Sequence, residues 1–388
     1  MDSWDEWRRG LAAEMDLRGD WPDRSPWIRS AVDAAPRHLF APDRLWHWDD
    51  CAYVPVDRDS DPEGWAAEVY GNPDDAAVTQ VTDGLPSSSL SCEAVVVDML
   101  DSLLLEPGHR VLELGTGTGR NAALLAWRAG DESVTSVEVD PDLAVGARER
   151  LGAAGRSGDR VRVVVGDGGT GWPAGAPYDR VMATYAVDRI PWAWVAQTRP
   201  GGRIVTPWGR LGHVALTVAE DGKSATGWVQ GLAQFMSARG TAGPARTFSQ
   251  VRGTAPAEAE RSMTRNLEPL RDNAHLRFAL RVALPDVRIT TAEDEDGLNA
   301  WLHDEGGVGS WATLSAVGSG GDDDNSTVVH QAGPRRLADE LEEAWDAWIA
   351  MASPNLYDYG MTVEPDGQYV WCGDAATGPR WQSVQTEE

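Results

Sequence analysis

The most informative part of this 388-residue chain reads Val111-Leu112-Glu113-Leu114-Gly115-Thr116-Gly117-Thr118-Gly119. Its apolar beginning predicts a short buried strand, and the three glycines predict a tight turn whose backbone can come close to a ligand. The residues from about Arg120 to Ala129 are predicted to form a helix that directs its free N–H groups at this turn. The stretch therefore indicates a nucleotide-binding unit, although glycine patterns of this kind serve more than one class of cofactor.

Three more predicted strands place this turn in a sheet. They cover residues 133–140, 161–165 and 178–184, and they alternate with helices. That alternation predicts an α/β fold with a doubly wound, mostly parallel sheet. Acidic residues accompany all four strands, and Glu138 stands where a ribose-binding acid is expected. The pattern is typical of a Rossmann-like domain that binds S-adenosylmethionine, and a domain for another adenine nucleotide is the alternative.

The composition limits the possible partners. The formal net charge is −27, from 34 Lys and Arg residues against 61 Asp and Glu residues. Such a chain repels a phosphate backbone, so no nucleic-acid partner is expected. The cysteines at positions 51, 92 and 372 are far apart and show no CxxC spacing. Neither a disulfide framework nor a metal site is therefore predicted.

The chain is expected to be cytoplasmic. No apolar run approaches the ~18 residues that a membrane-spanning helix needs. The first residues, Met1 to Trp7, do not have the pattern of a signal peptide. We therefore predict no membrane contact.

Two domains are expected from the length and from a change in pattern. Residues 1–240 combine N-terminal helices with the nucleotide-binding sheet, and the alternating segment 213–229 predicts a hairpin at the sheet edge. Residues 241–388 are predicted to form a small α+β accessory domain that recognises the substrate. Within it, residues 276–289 alternate as strands do, and residues 337–352 have the periodicity of an amphipathic helix.

Three smaller features also lead to expectations. Residues 49–86 are rich in Asp, Pro and Gly, which predicts loop with short strands. Ser91 is predicted to cap a helix that has Glu93 in its first turn. The segment 318–325, which reads Gly-Ser-Gly-Gly-Asp-Asp-Asp-Asn, is predicted to be a mobile acidic loop.

Residues 27–235 resemble the protein-L-isoaspartate (D-aspartate) O-methyltransferase family. The motifs that carry this resemblance are specific as a set, whereas one alone would not be. In chain order they read Pro36-Arg37-His38-Leu39-Phe40, Leu112-Glu113-Leu114-Gly115-Thr116-Gly117-Thr118-Gly119, Gly166-Asp167-Gly168, Gly171-Trp172-Pro173, Ala176-Pro177-Tyr178-Asp179 and Arg199-Pro200-Gly201-Gly202-Arg203. The resemblance implies the fold of a class I S-adenosylmethionine methyltransferase.

The active-site signature of that family, Thr-Ile-Ser-Gln-Pro, is altered in this chain. The matching place reads Ser89-Leu90-Ser91-Cys92-Glu93, so both hydroxyls are kept and Gln-Pro becomes Cys-Glu. The chain is more similar to a subgroup that acts in ribosomal-peptide gene clusters beside an ATP-grasp ligase (graspetides) or a lanthipeptide synthetase. Members of this subgroup also carry a serine-rich stretch and an added C-terminal domain, and residues 185–194 look most like the ATP-grasp-associated members.

The subgroup resemblance implies a carboxyl O-methyltransferase that esterifies an aspartate side chain. Its partner would be a modified, macrocyclic precursor peptide, and the ester would close to an aspartimide, which can hydrolyse to isoaspartate. The altered signature and residues 241–388 favour this function over the alternative, repair of isoaspartyl residues in damaged proteins. A second alternative is a non-catalytic module that binds the precursor peptide.

The chemistry and the resemblance together assign the site residues. A carboxylate is already ionised at neutral pH, so methyl transfer to it depends on alignment and exclusion of water, with no strong base. Ser89 and Ser91 are the predicted catalytic residues, because hydroxyls and free N–H groups at a helix N-terminus stabilise an anion. Glu138 is expected on the ribose hydroxyls and Asp167 near the adenine amine. The cofactor-binding set is predicted as Glu113, Gly115, Thr116, Gly117, Thr118, Gly119, Asn121, Glu138, Val139, Asp167 and Gly168.

Overall fold

The computed structural model describes residues 4–155, 161–209, 212–239, 246–254, 256–295, 297–316 and 326–382. The chain forms two compact units. The first unit comprises Met1–Arg239 and Met361–Gly367, and the second comprises Gly240–Gly360 and Gln368–Glu388. The acidic loop predicted at 318–325 lies outside the described residues, and so does the domain limit predicted between residues 240 and 241.

The first unit begins with the two helices that the sequence predicts. Helix α1 spans Trp4–Arg18 and helix α2 spans Trp27–Ala34. The side chains of Leu11 and Met15 are buried and lie four residues apart, which places them on one face of α1.

An antiparallel sheet of four strands follows, in the order β2-β1-β3-β4. Its strands are β1 (Arg44–Trp48), β2 (Tyr53–Asp57), β3 (Ala77–Thr82) and β4 (Leu85–Leu90). The last of these carries the serine-rich stretch.

Helix α3, Pro62–Tyr70, shows that the prediction of loop over 49–86 was wrong in part. The side chain of Asp61 caps this helix by accepting a hydrogen bond from the N–H of Gly64 at 2.9 Å. A capping Asp followed by Pro starts a helix, because proline fits the first turn, where its missing N–H costs nothing. Asp and Pro are also typical of turns and loops, which is why the composition of this segment predicts a loop.

The main sheet of the first unit confirms the doubly wound prediction. Its strands run in the order β11-β10-β9-β8-β5-β6-β7. Strands β5 to β9 pair in parallel, whereas β9, β10 and β11 pair antiparallel, so the hairpin predicted over 213–229 is present. The bounds are β5 (Val111–Leu114), β6 (Val134–Glu138), β7 (Arg162–Val165), β8 (Tyr178–Ala183), β9 (Thr198–Trp208), β10 (Gly212–Val218) and β11 (Ala225–Gly231).

Helices cover this sheet and complete the α/β layers. They are α4 (Glu93–Leu103), α5 (Arg120–Ala129), α6 (Pro141–Ala153) and α7 (Trp192–Ala196). The bounds of α5 confirm the helix predicted after the glycine turn. The cap predicted for α4 was wrong, because Cys92 occupies the N-cap position without a side-chain hydrogen bond and Ser91 lies one residue earlier.

The second unit is an α+β fold around an antiparallel sheet in the order β12-β16-β15-β14-β13. The strands are β12 (Ala259–Thr264), β13 (Val287–Asp294), β14 (Gly297–Asp304), β15 (Trp311–Ala316) and β16 (Ser326–Ala332). The helices are α8 (Phe248–Arg252), α9 (Glu268–Asp272), α10 (Ala274–Ala283) and α11 (Leu337–Ala350). Strand β17 (Tyr359–Glu364) follows and belongs for the most part to the first unit, and the chain ends with β18 (Gly367–Cys372) and β19 (Arg380–Gln382).

Helix α10 replaces the strands predicted over 276–289. The side chain of Asn273 accepts hydrogen bonds from the N–H groups of His275 and Leu276, which starts a helix at this point. Leu276 and Leu280 are buried and lie one helical turn apart. A spacing of four residues is typical of the buried face of a helix, whereas alternate residues are buried in a strand. Only the end of the segment, from Val287, is a strand. Across the described residues, no helix has the length and apolar character needed to cross a membrane.

A buried group of charges joins three parts of the first unit. The side chains of Arg37, Glu93 and Arg120 are all at most 3% exposed. Arg120 Nη2 lies 2.9 Å from a carboxylate oxygen of Glu93, and Arg37 Nη1 lies 3.6 Å from the other. Burial lowers the pKa of Arg37, and the charge of Glu93 opposes that effect. The group therefore ties the segment after α2 to the first turns of α4 and α5.

We expect Glu93→Ala to destabilise the first unit by about 3–5 kcal/mol, because it leaves two buried arginines without a counterion. Urea denaturation followed by circular dichroism measures this loss. Asp57→Ala is the matched control, since it removes the partner of Arg44 in an exposed pair and should cost less than about 1 kcal/mol. Equal losses in both variants would contradict a structural role for the buried group.

Candidate cofactor and substrate site

The glycine turn leaves the carboxyl end of β5, in the middle of the parallel strands. Gly115, Gly117 and Gly119 have φ angles of +93°, +53° and +90°, which favour glycine. Space is also limited at the first of them. A Cβ atom on Gly115 would lie 2.6 Å from Thr184 Oγ1 and 2.9 Å from the ring of Tyr185. The turn therefore needs glycine at this position for both its backbone angle and its packing.

Glu138 holds this turn from the end of the neighbouring strand β6. Its carboxylate accepts a hydrogen bond from the N–H of Gly117 at 2.8 Å and another from the N–H of Asp140 at 3.1 Å. The residue is only 5% exposed. Each carboxylate oxygen keeps a further lone pair, so the group can also accept hydrogen bonds from a ligand. Its place beside the turn fits the position expected for a ribose-binding acid.

Glu113 lies beneath the turn. It is fully buried, and its two oxygens accept hydrogen bonds from Asn121 Nδ2, at 2.8 Å, and from the hydroxyl of Ser136. Burial raises the pKa of Glu113 to about 7, although these two hydrogen bonds act in the opposite direction. The geometry therefore gives Glu113 the position of a support below the turn. Asn121 Oδ1 is buried and has no hydrogen-bond partner among the described residues, so an acceptor is available there.

Two threonines of the predicted cofactor set also face the protein. Thr116 shares a hydroxyl–hydroxyl hydrogen bond of 2.6 Å with Ser136, and both Thr116 and Thr118 are about 5% exposed or less. The carbonyl of Thr118 accepts a hydrogen bond from Arg150 Nε at 3.0 Å. The hydroxyl of Thr118 also accepts a hydrogen bond from the N–H of Arg120 at 3.4 Å, so both threonine hydroxyls bond within the protein and stabilise the turn.

Val139 and Asp167 lie at the ends of β6 and β7. Val139 is 48% exposed, which makes it an apolar surface directly after Glu138. Asp167 is exposed, and its carboxylate accepts a hydrogen bond from the N–H of Gly169 at 2.8 Å. Gly168 is buried, and a Cβ atom there would overlap the hydroxyl of Tyr185. These residues form the edge at which an adenine ring was expected.

Tyr185 belongs to this edge but was not predicted as a site residue. Its ring lies against Gly115 and its hydroxyl lies against Gly168. It meets Trp194 edge to face, with ring centroids 6.2 Å apart, and Trp194 donates a hydrogen bond to the carbonyl of Gly168. Burial raises the pKa of Tyr185, so the phenol stays neutral. The sequence signal was its position directly after the fourth predicted strand.

The serine-rich strand β4 reaches the glycine turn. A Cβ atom on Gly117 would lie 3.8 Å from the carbonyl oxygen of Ser89 and 3.9 Å from the hydroxyl of Ser88. Ser89 and Ser91 are partly exposed, whereas Ser88 is 6% exposed. The structure therefore brings the predicted serine stretch to the predicted cofactor turn. The hydroxyl nearest to Gly117 belongs to Ser88, which sequence reasoning did not single out.

Arg37 holds the backbone of this serine stretch. Its guanidinium donates hydrogen bonds to the carbonyls of Ser91, at 2.6 Å, and Val69, also at 2.6 Å. The altered signature residue Glu93 is part of the same buried group. Of the two altered signature residues, Glu93 therefore has a structural role as the counterion of Arg37 and Arg120, whereas nothing in the structure explains Cys92. In the part of the chain that the structure describes, no group of three or more His, Cys, Asp or Glu side chains could hold a metal ion.

Comparison with known proteins shows similarity to one family. The model of the protein-L-isoaspartate(D-aspartate) O-methyltransferase family matches residues 25–231. A protein-L-isoaspartate O-methyltransferase of Anaeromyxobacter dehalogenans is 45% identical over 139 residues, which are 34% of this chain and 63% of that protein. The enzyme of the same name from Hyperthermus butylicus is 34% identical over 213 residues, which are 52% of this chain and 76% of that protein.

Similarity of fold extends further along the chain. A solved structure of a protein-L-isoaspartate O-methyltransferase covers 95% of this chain and 100% of its own, with a TM-score of 0.53 and 20% identity. At that identity the likeness concerns the fold alone.

We expect Gly115→Ala to destabilise the chain by about 2–5 kcal/mol, the combined cost of a left-handed alanine and of overpacking. Gly108→Ala is the matched control, because Gly108 has a φ of +81° but no atom within 4 Å of a built Cβ. That variant should lose only about 1 kcal/mol. Urea denaturation of both proteins without ligand gives the comparison, and equal losses would mean that Gly115 is not crowded.

Proposed function

The chain belongs to the protein-L-isoaspartate(D-aspartate) O-methyltransferase family, and we propose that it transfers a methyl group from S-adenosylmethionine to the free carboxylate of an isoaspartyl residue. One observation carries this proposal. The serine-rich strand β4 comes close to the glycine turn at Gly117, so the hydroxyl of Ser88 stands beside the turn that would hold the cofactor, with Ser89 next to it in the strand.

The residues at the carboxyl ends of β5, β6 and β7 suit S-adenosylmethionine. Glu138 has acceptor capacity for the ribose hydroxyls, and exposed Val139 offers an apolar contact to the adenine ring. Asp167 and Gly168 would border the same ring, and the backbone of Gly115 to Gly119 would approach the rest of the cofactor. When bound, the cofactor supplies an electrophilic methyl group on a sulfonium. S-adenosylhomocysteine would remain after transfer.

The protein's own task is then to align a carboxylate and to exclude water. The carboxylate is ionised at neutral pH and attacks in its ground-state form, so no proton needs to be removed. We propose that hydroxyls of Ser89 and Ser91, together with the buried Ser88, orient it by hydrogen bonds. Arg37 keeps these serines in place through the carbonyl of Ser91. Alignment of this kind raises the rate, because the carboxylate and the methyl group have already lost their translational and rotational entropy when both are bound.

Two of the arguments for a macrocyclic peptide substrate are weaker once the structure and the comparisons are considered. Glu93 belongs to the buried ion group, so its presence in the signature does not by itself indicate a changed contact with substrate. The chain's extra length does not by itself indicate a different substrate, because a solved structure of a protein-L-isoaspartate O-methyltransferase is similar in fold over 95% of this chain. The family relationship also favours S-adenosylmethionine over another adenine nucleotide. The isoaspartyl substrate is therefore our leading proposal.

An aspartate in a macrocyclic ribosomal peptide is our second candidate. Its support is the run of serines from Ser87 to Ser89, which offers more hydroxyls than the family signature, and the α+β unit beyond the family match. In this proposal the second unit recognises the cyclic shape of the precursor, and the ester on aspartate closes to an aspartimide with loss of methanol. Binding of a precursor peptide without chemistry is the remaining alternative.

We expect methylation of a linear isoaspartyl peptide and none of its aspartyl twin. The assay incubates the full chain with S-adenosylmethionine and each peptide and follows the products by mass spectrometry, with a side-chain-cyclised aspartyl peptide as a third substrate. A gain of one methyl group, followed by loss of methanol to a succinimide, marks turnover. Ser89→Ala and Ser91→Ala should lower kcat by about 10- to 100-fold, the scale of lost alignment.

Each other result selects a different function. Methylation of the cyclic peptide alone would reverse our choice in favour of the second candidate. Methylation of the aspartyl twin as fast as the isoaspartyl peptide would remove the specificity we propose. Retention of peptide without any methyl transfer would indicate the binding module.

A further inference from the structure

A segment after β11 crosses the carboxyl end of the parallel strands. The N–H of Ala186, just beyond β8, donates a hydrogen bond to the carbonyl of Met236 at 2.8 Å. The N–H of Ala238 donates one to the carbonyl of Ala186 at 3.0 Å. Residues 236–238 are thus fixed beside the strand end that carries Tyr185, and they deliver the next residue, Arg239, to the region of the site.

The side chain of Arg239 forms hydrogen bonds both with the region after β6 and with the β3–β4 hairpin. Its Nη1 lies 2.9 Å from a carboxylate oxygen of Asp140, two residues beyond Glu138. Its Nη2 donates to Gln80 Oε1 at 2.6 Å and to the carbonyl of Ser87 at 2.7 Å. The guanidinium therefore joins the end of β6 to both strands of the β3–β4 hairpin.

The partners of Arg239 are themselves connected. Gln80 Oε1 also accepts a hydrogen bond from the hydroxyl of Ser87 at 3.0 Å, and Gln80 Nε2 lies 3.4 Å from Asp140. Burial alone would raise the pKa of Asp140, but hydrogen bonds from Arg239 and from the backbone N–H of Leu143 outweigh it and hold that pKa below its usual value. Asp140 is thus a carboxylate at neutral pH, which keeps the pair with Arg239 charged.

The hairpin needs such a contact at this place. The register between β3 and β4 shifts on both sides of Gln80, between Val78 and Gln80 and again between Gln80 and Val81. A register shift interrupts the ladder of backbone hydrogen bonds and lets a strand bend. Side-chain hydrogen bonds from Arg239 fix the hairpin where its own ladder is irregular, one residue before Ser88.

We propose that Arg239 is a positioning residue, which fixes the serine hairpin against the cofactor-binding end of β6 so that the serines stand at the glycine turn. The proposal rests on the proposed function for its effect on turnover. Its structural part does not depend on that function, because it concerns the hairpin and the glycine turn alone.

The test compares four variants of the full chain. Arg239→Ala removes all three contacts, and Arg239→Lys keeps the charge but loses the fork that reaches two elements. Gln80→Ala removes one partner. The matched control is Arg44→Ala, because Arg44 makes a two-point pair with Asp57 on the same small sheet and that pair is exposed.

The measurements are hydrogen–deuterium exchange over residues 77–90, the dissociation rate of S-adenosylhomocysteine, and kcat and KM for the isoaspartyl peptide. In Arg239→Ala we expect faster exchange over 77–90, faster dissociation by about tenfold, and a kcat lowered by about 10- to 100-fold with a smaller change in KM. Arg239→Lys should recover part of kcat. Gln80→Ala should change each quantity in the same direction but by less than Arg239→Ala, because it removes one of the three contacts of Arg239. Arg44→Ala should match the wild type.

Several outcomes would overturn the proposal. Unchanged exchange over 77–90 in Arg239→Ala would show that the hairpin does not depend on this residue. Faster exchange with unchanged kcat would show that the contact has no bearing on turnover. If the wild type methylates no peptide, the proposed function fails separately, and an unchanged rate of S-adenosylhomocysteine dissociation in Arg239→Ala then refutes the positioning role.

Discussion

The candidate site depends on the two hydrogen bonds that the carboxylate of Glu138 accepts. Three glycines of the turn after β5 have positive φ angles, and a turn of this kind has N–H groups that its own backbone does not satisfy. Glu138 accepts the N–H of Gly117 and that of Asp140 with its two oxygens. The ends of β5 and β6 are thereby held in one fixed relation. If a ligand binds at the turn as we propose, it meets a Glu138 carboxylate that is already oriented.

A second constraint is the burial of two arginines around one glutamate. Ionised side chains rarely go into a protein interior without a partner, because their hydration is lost. Here Glu93 compensates Arg37 and Arg120, and both arginines also donate to backbone carbonyls. The arrangement fastens the serine stretch to the helix after the glycine turn. It also gives the altered signature residue a structural reason, which moves the substrate proposal towards the isoaspartyl function of the family.

Local patterns in the sequence predicted much of the fold. The apolar strands, the glycine turn and helix α5 are coded by residues that are neighbours in the chain, so periodicity and turn chemistry were sufficient. Two segments predicted as loop or strand proved to be helices, because their residues are compatible with either structure. Asp61 and Pro62 start helix α3 although such residues also mark loops, and the segment from Leu276 alternates like a strand while its Asn273 cap starts a helix.

The site was predictable only in part, because its remaining features depend on partners far apart in sequence. Nothing near Ser91 reveals that Arg37 binds its carbonyl, and nothing near Arg239 reveals Gln80. Ser88 was passed over because the hydroxyl that faces Gly117 depends on the register of β4. Glu113 was expected at the cofactor surface, yet burial beneath the turn follows from the packing of α5 on β5 and β6. These contacts join residues that are far apart in the sequence, so they become visible only in the folded chain.

We propose that Glu138 both holds the glycine turn and binds the ribose of S-adenosylmethionine. Calorimetric titration of S-adenosylhomocysteine into the wild type and into Glu138→Gln tests it most directly, with circular dichroism as the check on folding. Glutamine has the same shape but one acceptor oxygen fewer. We expect one molecule bound per wild-type chain and an affinity weaker by about tenfold or more in the variant, the scale of a lost hydrogen bond to a charged group. Equal affinities in two folded proteins, or no binding by the wild type, would contradict the claim.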